Sequence, residues 1–149
     1  MLEEVKAVLE HLLAELPPDS ARLNVYRVAK NDGAVIELIP NNPNAASIEV
    51  HVDDGADYVD LSFGGGGGTW ELPLESRYKN ANKSQMLVEV EEMCRAVIAG
   101  HCRKSRGAFW LTSRIDAGDF TYKLTDWPIF GIPFTTRRYA SYAPRLRSE

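Results

Sequence analysis

The spacing of apolar residues predicts two amphipathic helices. In the first, at the start of the chain, apolar side chains recur every three or four positions and acids occupy the first turn, where the helix dipole favours them. Pro17-Pro18 would end this helix. The second runs from Ser84, the predicted N-cap, to Ala99, and Gly100 stops it. The predicted buried positions are Leu2, Val5, Leu9, Leu12, Leu13 and Leu16 in the first helix and Met86, Leu87, Val90, Met93, Cys94, Val97 and Ile98 in the second.

Alternating apolar and polar residues predict three β-hairpins. LNVYRVAK and AVIELIP flank Asn31-Asp32-Gly33, ASIEVHVD and ADYVDLSF flank Asp54-Gly55, and AFWLTSRI and DFTYKL flank Asp116-Ala117-Gly118. Asp-Gly between such segments is a strong hairpin signal, because the tight turn requires positive φ. The TWELPL segment that follows the second hairpin is either a fifth strand or an extended connection.

Turn chemistry also predicts the register of two hairpins. A two-residue Asp54-Gly55 loop would place Val50 opposite Val59 on a buried face and Glu49 opposite Asp60 on the other face. The corresponding pairs of the third hairpin, across an Ala117-Gly118 loop, are Ile115 with Phe120 and Leu111 with Leu124.

The predicted order of elements is α-β-β-β-β-α-β-β, followed by an irregular C-terminal tail. Helices grouped with antiparallel hairpins define an α+β fold, here a twisted and mainly antiparallel sheet with the helices packed on one face. A length of 149 residues fits a single domain over residues 1–149. We expect residues 127–149 to form an extended tail that wraps the domain and loosens at its end. Its predicted contacts are Trp127, Ile129, Phe130 and Phe134.

Composition and charge are those of an ordinary soluble protein. Apolar residues make up 44% of the chain and charged residues 26%, and the first residues carry acids where a signal peptide would need a basic lead. No apolar run is long enough to cross a bilayer, and two cysteines do not make a disulfide framework. We therefore expect a cytoplasmic protein with no membrane contact.

The net charge of −4 is unevenly distributed. Residues 1–100 hold 8 Lys and Arg against 17 Asp and Glu, a net charge of −9, whereas residues 101–149 hold 9 against 4, a net charge of +5. Such asymmetry indicates either a charged partner or neutralisation of one half by the other within the fold.

Five consecutive glycines, Gly64 to Gly68, form the most unusual segment. TWELP follows them, whereas a phosphate-binding loop would need a lysine and a helix at that point. We therefore interpret the run as a flexible connection between strands. We expect it to bind nothing phosphorylated and to show either high mobility or little contact with the core.

One strand face carries residues suited to a ligand. Glu49, His51, Tyr58 and Asp60 would share the non-core face of the second hairpin, with the two carboxylates opposite each other. Like charges so placed destabilise a sheet, so a metal ion, a basic partner or a base of the same chain should offset them. The set could support metal-assisted or acid–base chemistry, or it could be a solvated face neutralised by a residue such as Arg27.

The sequence lacks the signatures of several enzyme classes. Cys94, His101 and Cys102 are poorly spaced for tetrahedral zinc, and we interpret the two cysteines as buried and inert. The sequence contains neither a nucleophile elbow nor a deaminase motif. We predict no catalytic residue, no metal site and no cofactor.

The C-terminal tail interleaves bases with aromatic residues and is the predicted partner-binding surface. Its members are Arg137, Arg138, Tyr139, Tyr142, Arg145 and Arg147. This composition suits an acidic protein or a nucleic-acid backbone, and a sequence pI near 5.4 disfavours the nucleic acid. The alternative is that the tail docks on the acidic half of its own chain.

The predicted order of elements and the acidic charge are similar, in topology alone, to small α+β binding proteins such as secretion chaperones and toxin-immunity proteins. We therefore predict a non-enzymatic protein-binding domain that binds a protein partner or forms a homo-oligomer. The competing prediction is a small-molecule-binding protein or metal-assisted enzyme that uses the face of Glu49, His51, Tyr58 and Asp60.

Overall fold

A computed structural model describes residues 1–28, 33–53, 55, 58–65, 69–73, 82–107, 109–126 and 135–143. These residues form two helices, α1 (Leu2–Ala14) and α2 (Lys83–Ile98), and two antiparallel sheets. The first sheet contains, in spatial order, β1 (Ala21–Arg27), β2 (Ala34–Pro40), β3 (Ile48–Val52), β4 (Tyr58–Phe63) and β5 (Thr69–Pro73). The second contains β6 (Cys102–Arg106), β7 (Leu111–Ala117), β8 (Phe120–Asp126) and β9 (Thr135–Arg138), in the order β8-β7-β6-β9. The predicted α+β class with antiparallel pairing is confirmed, but the strands form two sheets and not the single sheet that the sequence predicts.

Both predicted helices bury the central part of their apolar stripes. The buried residues are Val5, Leu9 and Leu12 in α1 and Met86, Val90, Met93, Cys94, Ala96 and Val97 in α2. The other predicted positions are only partly buried against the core, and these are Leu2, Leu13, Leu16, Leu87 and Ile98. The N-cap of α2 is Asn82 and not the predicted Ser84, which lies inside the first turn. The Asn82 side chain accepts a hydrogen bond from the backbone N–H of Gln85 at 2.9 Å, which satisfies a donor that the helix leaves unpaired.

The register predicted for the second hairpin is wrong by two residues. Val50 pairs with Leu61, and Val52 pairs with Val59. Strand β3 ends at Val52 and β4 begins at Tyr58, so five residues separate them where a two-residue turn is predicted. A shift of two leaves each side chain on its predicted face, since side chains alternate with a period of two. Val50 and Val59 are accordingly both buried, as predicted.

The third hairpin shows the same two-residue difference. Its loop is Gly118-Asp119, with Gly118 at a φ of +59°, and Ala117 still belongs to β7. The predicted partners are therefore wrong, since Ile115 pairs with Tyr122 and Leu111 pairs with Asp126. Leu111 and Ile115 nevertheless lie on one buried face, which is the face that the sequence predicts.

The sequence does not predict two strands of the second sheet, β6 and β9. The sequence of β6, CRKSR, has a single apolar residue, and β9, TTRR, has none. They form strands because β7 and β9 pair with the two edges of β6. The TWELP segment is a strand, β5, and this decides between the two predictions made for it.

Part of the predicted tail is firmly docked. After β9, the backbone N–H of Ala140 donates to the carbonyl of Asn44, and that of Tyr142 donates to the carbonyl of Ile98, both at 2.9 Å. The segment therefore joins the end of α2 to the linker between β2 and β3. The predicted contacts through Trp127, Ile129, Phe130 and Phe134 lie outside the described residues.

The inner faces of both sheets and the helices contribute to one apolar cluster. In the first sheet, Ile36, Val50 and Leu61 are in register across three strands and are fully buried. The second sheet contributes Cys102 and Ile115. Within the described residues, neither helix has the length and apolar content needed to span a bilayer.

Candidate functional site

Four cations lie in one register row across the outer face of the second sheet. Arg103 of β6 pairs with Arg114 on one side and with Arg138 on the other, and Lys123 pairs with Arg114. Neighbouring strands are separated by about 4.8 Å, so the four Cα atoms span about 14 Å. We call Lys123, Arg114, Arg103 and Arg138 the cationic row. Like charges directly opposite each other weaken a sheet, so this arrangement does not serve stability.

A second row beside the cations consists of hydroxyl side chains. It contains Thr125, Thr112, Ser105 and Thr136, which are paired across the same four strands. The Thr112 and Thr125 hydroxyl oxygens are 3.3 Å apart, and those of Ser105 and Thr136 are 3.2 Å apart. We call these four residues the hydroxyl row. Together the two rows offer charged and neutral hydrogen-bond donors on one surface.

The acid that neutralises part of this face is Asp116. It accepts a hydrogen bond from Nε of Arg114 at 2.7 Å and another from the Thr121 hydroxyl at 2.9 Å. The bond from Arg114 holds the pKa of Asp116 below its usual value. Among the ion pairs between described residues, this is the one that involves the cationic row.

The inner face of the second sheet carries three further bases around a cavity of about 270 Å³. We call this cavity the basic pocket, and its lining consists of Gly64, Gly65, Lys104, Arg106, Leu111, Arg137 and Tyr139. Arg137 pairs directly with Lys104 across β9 and β6, and Arg106 lies two residues further along β6 on the same face. The described lining residues therefore include three bases and no acid.

Lys104 is the most deeply placed of these bases. It is 7% exposed, its ammonium group donates to the carbonyl oxygen of Gly65, and Nζ lies 5.0 Å from the centre of the Phe63 ring. Burial lowers the pKa of Lys104 to about 8, against the opposing influence of Asp126. Its charge is thus held by a carbonyl and an aromatic face inside the fold.

The two described glycines of the run pack against this pocket. Gly64 and Gly65 both have a φ of +66°. A Cβ on Gly64 would overlap the Tyr139 hydroxyl, whereas a Cβ on Gly65 would meet open space. The expectation of little contact is therefore wrong for Gly64, which packs against Tyr139, whereas Gly65 is exposed. Gly66 to Gly68 lie outside the described residues.

The predicted partner-binding residues are divided among three environments. Arg137 and Arg138 are both exposed, but as neighbours in β9 they belong to opposite faces of the sheet. Tyr139 and Tyr142 are only 7% and 3% exposed, so the prediction of a partner contact for them is corrected to a place in the core. Arg145 and Arg147 lie outside the described residues.

Buried hydrogen bonding explains the position of Tyr142. Its hydroxyl donates to the carbonyl of Ala46 at 2.7 Å and lies 3.3 Å from the carbonyl of Leu38. Burial raises the pKa of Tyr142 far above its usual value. Tyr142 is therefore a core residue, although it lies in a basic segment of the sequence.

The predicted ligand face does not bring its carboxylates together as expected. Glu49 lies opposite Glu37 and Ser62, and Asp60 lies opposite His51, so the predicted Glu49–Asp60 pair is wrong. Nε2 of His51 is 3.6 Å from a carboxylate oxygen of Glu49. Tyr58 is exposed on the same sheet. In the part of the chain that the structure describes, no group of three or more His, Cys, Asp and Glu is placed to hold a metal ion.

The cysteines have no place in a reactive site. Cys94 and Cys102 are both free and buried, as predicted. Burial raises the pKa of each thiol to about 12, which keeps both in the unreactive protonated form near neutral pH.

Comparison of this chain with known protein families, curated proteins and solved structures gives no match. Function must therefore be inferred from the charge and geometry of the chain itself.

Proposed function

We propose that this protein is a non-enzymatic binding domain whose cationic row and hydroxyl row together bind an acidic protein. The observation that carries the proposal is the placement of Lys123, Arg114, Arg103 and Arg138 in one register row, where a single described acid offsets them. An arrangement that weakens the isolated sheet is typical of a functional surface.

The chemistry of the face suits carboxylates. Arginine donates two parallel hydrogen bonds to a carboxylate, and charge-assisted bonds of this kind are stronger than neutral ones. The neighbouring hydroxyls can donate to the remaining carboxylate lone pairs. Attraction across such a surface speeds association and rejects basic partners.

A protein partner fits better than a nucleic acid. The chain has a net charge of −4, and its first 100 residues alone carry −9, which would repel a polyanion. The cationic and hydroxyl rows contain no aromatic side chain on which a base could stack. The proposed binding surface thus excludes the tail tyrosines and includes residues of β6, β7 and β8. Arg138 belongs both to this surface and to the surface predicted from the sequence.

Site-specific photo-cross-linking tests this proposal. A photoreactive phenylalanine derivative would replace Thr125, which is exposed beside the cationic row, and the matched control would carry it at Tyr58, which is exposed on the first sheet. We expect the Thr125 probe to form an adduct with an acidic protein in cells. High salt and the double variant R103Q/R138Q should both abolish that adduct, while the Tyr58 probe should not form it.

Three results would contradict the proposal. An adduct made mainly with nucleic acid would assign the face to a different class of partner. An adduct made with a second copy of this chain would show self-association. An adduct that survives R103Q/R138Q would show that the cations do not carry the contact.

A further inference from the structure

We propose that the basic pocket is a binding site for the phosphate group of a small molecule. This site is distinct from the partner surface proposed above, because the two lie on opposite faces of the second sheet. Their separation is clearest in β9, where Arg137 lines the pocket and the next residue, Arg138, belongs to the cationic row.

The charges of the lining favour an anion. Lys104 and Arg137 are directly opposite each other, and Arg106 lies on the same face of the sheet. Like charges in such positions repel, and the described lining residues contain no acid. The acids that act on Lys104, which are Asp126 and Glu49, lie outside the lining. A bound anion would convert this repulsion into charge-assisted hydrogen bonds.

The number and arrangement of donors favour phosphate. Two guanidinium groups and one ammonium group reach the pocket from two strands. A single arginine can satisfy a carboxylate through two parallel bonds, whereas a phosphate has three terminal oxygens to satisfy. Arg137 is also held in place, since its guanidinium carbon lies 5.0 Å from the centre of the Tyr139 ring.

The pocket is partly built before any ligand enters. Lys104 is 7% exposed and is fixed by the Gly65 carbonyl and the Phe63 ring, so little side-chain entropy would be lost on binding. Gly65 presents no side chain to the cavity, and a Cβ there would meet nothing within 4 Å. Glycine at this position therefore leaves room for a ligand beside the lysine.

The size of the cavity limits the ligand. A volume of about 270 Å³ lies at or below the small end of ligand pockets, which hold about 300–1,000 Å³. We therefore expect a small phosphate ester and not a nucleotide. This proposal reverses the expectation that the glycine run binds nothing phosphorylated, because the bases come from β6 and β9 and not from the glycine segment itself.

Phosphorus NMR and calorimetric titration of the folded full chain test this inference. The probes are inorganic phosphate and phenyl phosphate, and malonate supplies a dicarboxylate of similar charge. The test variant is R137Q, and the matched control is R138Q, which removes the same charge from the adjacent residue on the opposite face. Circular dichroism would establish that each variant is folded, and R106Q serves as the test variant if R137Q does not fold.

We expect saturable binding of both phosphate probes and weaker binding of malonate. R137Q or R106Q should weaken phosphate binding by at least about tenfold, while R138Q should change it by less than about twofold. Three results would overturn the inference: no saturable binding of phosphate, an equal loss in R137Q and R138Q, or malonate binding as tight as that of phosphate. An equal loss would mean that general positive charge attracts the anion.

Discussion

The outer faces of the two sheets both place like charges side by side, yet they differ in composition. On the first sheet, Glu37 lies opposite Glu49, and His51 approaches Glu49 to 3.6 Å. On the second sheet, the row is uniformly basic and a row of hydroxyls runs beside it. The outer faces of the two sheets therefore reflect the charge split of the sequence, although many of the acids lie on α1 and α2. Such segregation is what a binding surface requires and what neutralisation within the fold would remove.

The inner faces differ as well. That of the first sheet is apolar in register, as Ile36, Val50 and Leu61 show. That of the second sheet includes Lys104 and Ser113 among its buried residues, and a cavity remains beside the lysine. The first sheet therefore supplies most of the core, and the second supplies the groups that can bind.

The largest expected effect on stability concerns the docked segment after β9, which contains Tyr142. Tyr142→Phe removes a buried hydroxyl that donates to the Ala46 carbonyl, and we expect the free energy of unfolding to fall by about 1–3 kcal/mol. Tyr58→Phe is the matched control, because Tyr58 is exposed on the first sheet, and its effect should stay within about 0.5 kcal/mol. Urea unfolding followed by circular dichroism measures both. Equal effects would mean that Tyr142 is not a core residue.

A second prediction concerns Lys104, the charge on the inner face of the second sheet. Its folded pKa of about 8 lies below the usual 10.5 because the residue is buried. The unfolded chain therefore binds more protons between these pH values, and the Lys104 contribution to stability rises with pH across that window. Below a pH of about 8, Lys104 is charged in the folded protein, and the free energy of unfolding is lowered by the full cost of burying that charge.

Lys104→Met should remove this dependence. We expect the variant to gain roughly 1–2 kcal/mol relative to wild type below the window and to lose that advantage above it. The difference between the two proteins isolates Lys104 from the cysteines, which also titrate at high pH, and from the neighbouring Glu49, Arg106, Arg137 and Asp126. Thr125→Met, at an exposed position of the same sheet that carries no titratable group, is the control and should give a pH-independent difference. A pH-independent difference for Lys104→Met would show that the lysine is not buried as a charge.

The smallest expected effect on stability comes from removing one of the like charges on each outer face. Glu49→Gln should relieve repulsion with Glu37, and Arg103→Gln should relieve repulsion with Arg114 and Arg138. We expect each change to raise the free energy of unfolding by about 0.2–1 kcal/mol. Thermal unfolding at low salt measures the gain, which added salt should reduce. A loss of stability in either variant would show that its charge is offset within the fold.

The sequence predicts the helices, the faces of the hairpins and the α+β class, because these depend on local periodicity. It fails on the registers of the second and third hairpins, since turn length is not set by an Asp-Gly pair alone. Strand β6 is missed because CRKSR carries almost no apolar signal and forms a strand only by pairing with β7 and β9. Both candidate sites depend on β6. The residues of these sites come from separate strands that the fold brings together. The excess of bases after residue 100 is the sequence feature that indicates a basic surface.

Titration of isotope-labelled protein with a glutamate-rich peptide tests most directly whether the outer face of the second sheet binds acidic protein surfaces. The comparison is between R103Q/R138Q and R22Q/R27Q, which removes the same charge from exposed positions of β1 in the first sheet. We predict amide shifts on β6, β7, β8 and β9, a loss of affinity of more than about tenfold in R103Q/R138Q, and less than about twofold in R22Q/R27Q. Equal losses in the two double variants, or shifts centred on the first sheet, would contradict the claim.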